Sequence, residues 1–164
     1  MLKLWKCSAG VLAIVAFAGS ALAQDAQPTT FYKLDFTVKE VEAGKVLNTR
    51  GYSVMASGKE SGRASIRTGT KVPYQTSPEI HYADIGVNID CLHLRELDGA
   101  LALEVEADLS SIPQEQPGNP PVVRQNKWSS TVLVPLRKAT ILFTSDDPAS
   151  RQQMQLELTA TPIR

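Results

Sequence analysis

The chain has 164 residues, 17 basic and 17 acidic, so its formal net charge is zero and it carries no basic field to collect nucleic acid or anionic lipid. Two cysteines and two histidines leave little material for a disulfide framework or a histidine-rich metal centre.

Residues 1–23 have the form of a secretory signal peptide. Lys3 and Lys6 give a positive start, Val11 to Phe17 a short apolar centre, and Ala21-Leu22-Ala23 the small-x-small pattern of a cleavage site. The apolar run is too short for the roughly 20 residues that cross a bilayer as a helix. The spacing predicts cleavage after Ala23 and export to the periplasm or the outer membrane's neighbourhood. About 140 residues then remain, which is one domain, with a small acidic excess. Cys7 leaves with the signal, so Cys91 stands alone and reads as a small buried apolar side chain.

Residues 24–30 (QDAQPTT) read as a flexible leader, and residues 31–164 as a single β domain. Tyr32, Leu34, Phe36 and Val38 alternate with Lys33, Asp35, Thr37 and Lys39, the period of a half-buried strand. A turn at Glu42 to Lys45 returns the chain through Val46 to Ala56. Ser57 to Gly62 turns it again into a short strand through Ala64 and Ile66. Ile85, Val87, Ile89 and Cys91 then alternate with polar residues up to Leu97. Asp98-Gly99 suits a type I′ turn, and Leu101, Leu103, Val105, Ala107 and Leu109 run back. Ser110 to Pro121 carries four prolines and reads as an exposed loop, with Ser110 and Ser111 at its edge. Trp128 to Val134, Ala139 to Phe143 and Met154 to Ala160 supply the last strands, with a turn at Asp146-Asp147-Pro148.

No stretch of the mature chain shows a helical period. The expected fold is all-β: an antiparallel β-sandwich or curled sheet of about eight to nine strands. Its expected core face comprises Ile85, Val87, Ile89, Leu101, Leu103, Val105, Trp128, Val132, Ile141, Phe143, Leu156 and Leu158. A small eight-stranded outer-membrane barrel also fits the length, though few aromatics remain for its two girdles.

Catalytic constellations are not found. Cys91-Leu92-His93 offers two potential zinc ligands where catalytic sites take three. His81 lies elsewhere in the chain. Gly58 to Ser65 lacks phosphate-loop spacing, and Asp84 with Asp90 reads as strand surface charge. An extracytoplasmic hydrolase or metal binder is therefore the weakest reading, and no catalytic, cofactor-binding or metal residue is expected. Asp146-Asp147 opens a turn before Pro148 more readily than it binds calcium.

One segment has a family likeness. Arg63 to Gln75 (RASIRTGTKVPYQ) resembles the stretch of bacterial secretins, the ring-forming channels of type II and type III secretion and type IV pilus machines, in which a GT-x-[IV]-PYQ string precedes a sheet. Tyr82 to Ile89 (YADIGVNI), Leu101 to Ser111 (LALEVEADLSS) and Pro121 to Val134 (PVVRQNKWSSTVLV) are similar, in order, to the strands that follow. The match covers residues 63–145. Where secretins place a glycine pair after the last of these strands, this chain has Ser145-Asp146-Asp147. The resemblance implies a secretin C-terminal-like β core in the cell envelope, acting by contact with a protein partner or by self-association, with membrane association an option. Within it, Val72, Pro73, Tyr74 and Gln75 form the candidate contact edge: Pro73 removes a ladder donor, as suits an edge strand, and Tyr74 offers an amphipathic ring.

Overall fold

Eight strands make up the protein in a computed structural model that describes residues 30–76, 78–112, 122–148 and 150–163. The expected signal peptide, residues 24–29 of the leader and residues 113–121 of the proline loop lie outside the described residues. The strands are β1 (Phe31–Glu42), β2 (Lys45–Ser57), β3 (Arg63–Thr76), β4 (Glu79–Leu97), β5 (Ala100–Ser111), β6 (Arg124–Pro135), β7 (Thr140–Asp146) and β8 (Gln152–Ile163). All pair antiparallel, in two four-stranded sheets of order β2-β1-β8-β7 and β3-β4-β5-β6. The described residues contain no helix.

Period-two patterning fixes which side chains meet between the sheets. Tyr32, Leu34, Phe36 and Val38 of β1 and Leu156, Leu158 and Ala160 of β8 face Val87, Ile89 and Cys91 of β4 and Leu101, Leu103, Val105, Ala107 and Leu109 of β5 in one cluster. A one-residue slip of β5 would move all five of its apolar residues to water, so its register is strongly specified. Hairpin turns hold that register. Asp98 and Gly99 take φ of 48° and 77°, and Ala43 and Gly44 take 49° and 80°, the paired positive angles of a type I′ connection.

Several expectations need correction. Ile141 is 54% exposed, not core, because a bulge between Ile141 and Phe143 breaks the alternation of β7. Ile85 keeps the inward-facing parity of β4 but is half-buried and outside the core cluster. Its strand has by then left the ladder with β5, whose pairing with β4 stops at Val87↔Leu109. The strand after Gly62 is not short: it continues for 14 residues to Thr76, and β4 begins at Glu79. Ser110 and Ser111 belong to β5 rather than to a loop edge. A second irregularity, between Leu92 and Arg95, carries His93 at φ 54° and turns Leu94 into the core. The eight-stranded closed barrel is overturned, since the strands form two separate sheets.

Candidate contact surface

β3 is an edge strand, which places Val72, Pro73, Tyr74 and Gln75 on a sheet edge as their residue types suggest. They also stand beyond the body of the sandwich. From Thr70 to Thr76, β3 pairs only with Ile85 to Glu79 of β4, while the pairing of β4 with β5 stops at Val87. Seven residues per strand at about 3.3 Å each make an arm of roughly 23 Å. Its partners across the hairpin are Val72↔Ala83, Pro73↔Tyr82, Tyr74↔His81 and Gln75↔Ile80. The Tyr74 and His81 rings stack with centroids 5.5 Å apart. Ile80 and Tyr82 are 65% and 63% exposed, on the face opposite that stack. A Lys71–Asp84 ion pair of 3.6 Å spans the base.

The arm leaves the body at a pair of glycines. Gly69 lies opposite Gly86, and a Cβ on Gly86 would fall 2.0 Å from the Thr68 carbonyl oxygen and 2.5 Å from the Gly69 Cα. The strands approach there more closely than any side chain permits. Where β5 stops supplying a ladder partner, the Gly86 N–H donates to Ser110 Oγ at 2.9 Å. These three residues set where the arm begins. Sequence patterning could not pick out Ser110, because a serine at a strand end before prolines looks like loop.

Both flanks of the sandwich are open. β2 and β3 form one side and β6 and β7 the other, and among the described residues each of these strands has one edge without a strand partner. Ala56, Ala64 and Val134 of the flank strands are buried, but their larger inward-facing neighbours are only partly so: Tyr52, Val54 and Ile66 on the first side, Trp128, Val132, Leu142 and Phe143 on the second. Trp128 and Phe143 bridge the two sheets with ring centroids 5.9 Å apart. The core therefore reaches the surface along both sides. Periodicity marked Trp128, Val132 and Phe143 as inward but could not show that their strands end the sheets.

Titratable groups fall into structural roles. Burial, then the neighbouring Asp90 charge, pushes the Cys91 thiol up to about 12. Burial and the hydrogen bond that Tyr32 donates to Glu96 raise the Tyr32 phenol to about 12. Burial alone would raise Asp90. The Arg67 guanidinium, bonded through both carboxylate oxygens, and the Ser65 hydroxyl outweigh it and hold the carboxyl below its usual range. His93 lies 3.7 Å from Glu60 and 3.8 Å from Glu104, and His81 lies 3.8 Å from Glu79. No group of three or more His, Cys, Asp or Glu among the described residues is arranged to hold a metal ion.

No family model and no curated protein matches the chain. Solved structures do. The chain is similar to the type II secretin GspD of enteropathogenic Escherichia coli, with a TM-score of 0.52 and 10% identity over 84% of this chain and 70% of that one. It is also similar to a chain of the Klebsiella pneumoniae type II secretion system outer membrane complex of PulD, PulS and the PulC HR domain, with a TM-score of 0.51 and 10% identity over 83% of this chain and 39% of that one. At such identity the likeness is one of fold. The resemblance carried by residues 63–145 thus extends to the arrangement of the strands, and this chain folds as a secretin-like β domain.

Proposed function

We propose that the protein is a non-catalytic, exported envelope protein whose secretin-like β domain works by protein contact, foremost with further copies of itself. The observation that carries this reading is the sense of the sheet edges. In β2-β1-β8-β7 and in β3-β4-β5-β6 alike, antiparallel pairing makes the two edge strands run in opposite directions. A neighbour placed beside the β6–β7 flank, in the same orientation, would present β3 to β6 and β2 to β7. Both sheets would then continue antiparallel at once. The contact is heterologous, so repetition closes into a ring or runs on as a filament.

Side-chain chemistry supports the same placement. The half-buried Trp128 and Phe143 of one copy would meet the half-buried Tyr52, Val54 and Ile66 of the next, joining two cores. Aromatic anchors flanked by unpaired strands are what interfaces use. The arm at Val72 to Gln75 supplies a further contact edge. Light scattering on size-exclusion fractions of the mature chain tests the reading: multimers are expected, and Trp128→Glu, which sets a charge in the slot, should return them to monomers that keep their β spectrum. A parent protein that is monomeric at every concentration refutes self-association.

A further inference from the structure

We infer that the walls built by joining these sheets stand in water on both sides, so that copies assemble in the aqueous envelope and not inside a bilayer. The self-association proposed above is needed only for the wall to exist; the character of its faces follows from the strands themselves. The outward face of the first sheet is a lattice of ionic and polar groups. Lys33 pairs with Asp35 at 2.8 Å, and Lys39 Nζ reaches both Glu157 carboxylate oxygens at 2.6 and 2.7 Å. The positions between and beside them are Thr37, Thr159 and Gln155. From Lys33 to Lys39, β1 shows no apolar side chain outward over seven residues, or about 20 Å of strand.

The second sheet repeats the pattern in its own residues. Arg67 bonds Asp90 through both carboxylate oxygens, and Lys127 lies 3.3 Å from Asp108, which also accepts from Gln125. Glu104 and Glu106 continue the row along β5. A lipid-facing barrel wall needs an apolar band about 25 Å tall, and Lys or Arg at its midplane is strongly disfavoured. Either face would place several such charges where the band must be. Most exposed apolar side chains lie toward sheet ends, Phe31, Met55, Ile163, Val46 and Leu47 in the first sheet and Leu97, Leu133, Ile80 and Tyr82 in the second. Ile141 opposite Glu157 and half-buried Leu92 opposite Glu104 are isolated among the charges and make no band.

The test uses the mature full chain in buffer, in buffer with a mild detergent, and with vesicles of phosphatidylethanolamine and phosphatidylglycerol on a flotation gradient. Multimers in plain buffer that stay at the bottom of the gradient are the expected result. Multimers that form only with detergent, or protein that rises with the vesicles, would overturn the inference. A monomer in both buffers that does not float would uphold the watery faces while refuting the self-association, so the two failures are told apart.

Discussion

Gly86→Ala tests the departure point of the arm most sharply. The added methyl would sit 2.0 Å from the Thr68 carbonyl oxygen and 2.5 Å from the Gly69 Cα, both backbone atoms that no rotamer change can move aside. Relief requires β3 and β4 to part by more than an ångström, which breaks the local ladder and the 2.9 Å bond from Gly86 N–H to Ser110 Oγ. Overpacking in a closed site costs about 1–3 kcal/mol, and losing a hydrogen bond about 1 more. A total of about 2–4 kcal/mol lowers the melting temperature of a domain of this size by about 6–16 °C. Gly51→Ala is the matched control, since a Cβ there meets nothing within 4 Å and the backbone is extended. It should be neutral or slightly stabilising. Thermal melts by circular dichroism with amide exchange on residues 70–85 read both variants. Equal melting temperatures for the parent and Gly86→Ala, with unchanged exchange in the arm, would refute the close-approach argument.

Leu103→Ala, at a side chain 1% exposed in the middle of β5, should cost about 2–5 kcal/mol in a denaturant titration, with the slope unchanged. Cys91, whose buried thiol is held up at about 12, should resist alkylation near pH 8 in the folded protein and react freely once urea unfolds it; equal rates would mean the thiol is open. Asp90 has a folded pKa below its unfolded one, so the Arg67 contact adds stability that is present above the unfolded value of about 3.9 and lost as pH falls through the folded value. The melting temperatures of the parent and Arg67→Gln should accordingly differ near neutrality and converge in acid. Tyr74→Ser, on the arm and outside the core cluster, should leave the melting temperature nearly unchanged while weakening recovery of bound protein; equal loss of both would make Tyr74 part of the fold instead. For export, N-terminal sequencing of the mature protein should begin at Gln24, and a retained Met1 would contradict cleavage.

Legibility in the sequence followed the reach of each signal. β5 was plain because five apolar residues at period two are followed by nothing that breaks the pattern, and the Asp98-Gly99 turn fixes its phase. The bulges in β4 and β7 were invisible, since a bulge offsets the parity of the residues on its two sides without altering their composition. Leu94 therefore entered the core unannounced, and Ile141 left it. The length of the arm was hidden for a different reason. Thr70, Lys71, Gln75 and His81 are polar enough to read as a connection, yet ladder hydrogen bonds between β3 and β4 need no apolar face to persist.

The flanks mark the deeper limit, because how far a side chain at a sheet edge is covered depends also on which strand comes last, and not on the residue's own pattern alone: Val134 of β6 is buried while Trp128 of the same strand is only partly so. Trp128 and Leu103 both face inward, but Leu103 sits in β5, between two strands, and Trp128 in β6, with none beyond it among the described residues. Strand order is long-range information, settled here by β1 pairing with β8 across the whole domain. That pairing sets β2 and β7 at opposite ends of one sheet, as the other sheet sets β3 and β6, and so aligns two open edges on each flank. The same closure that completes the core of a single chain thereby leaves aromatic and aliphatic groups exposed on both sides, in positions that a second copy could cover.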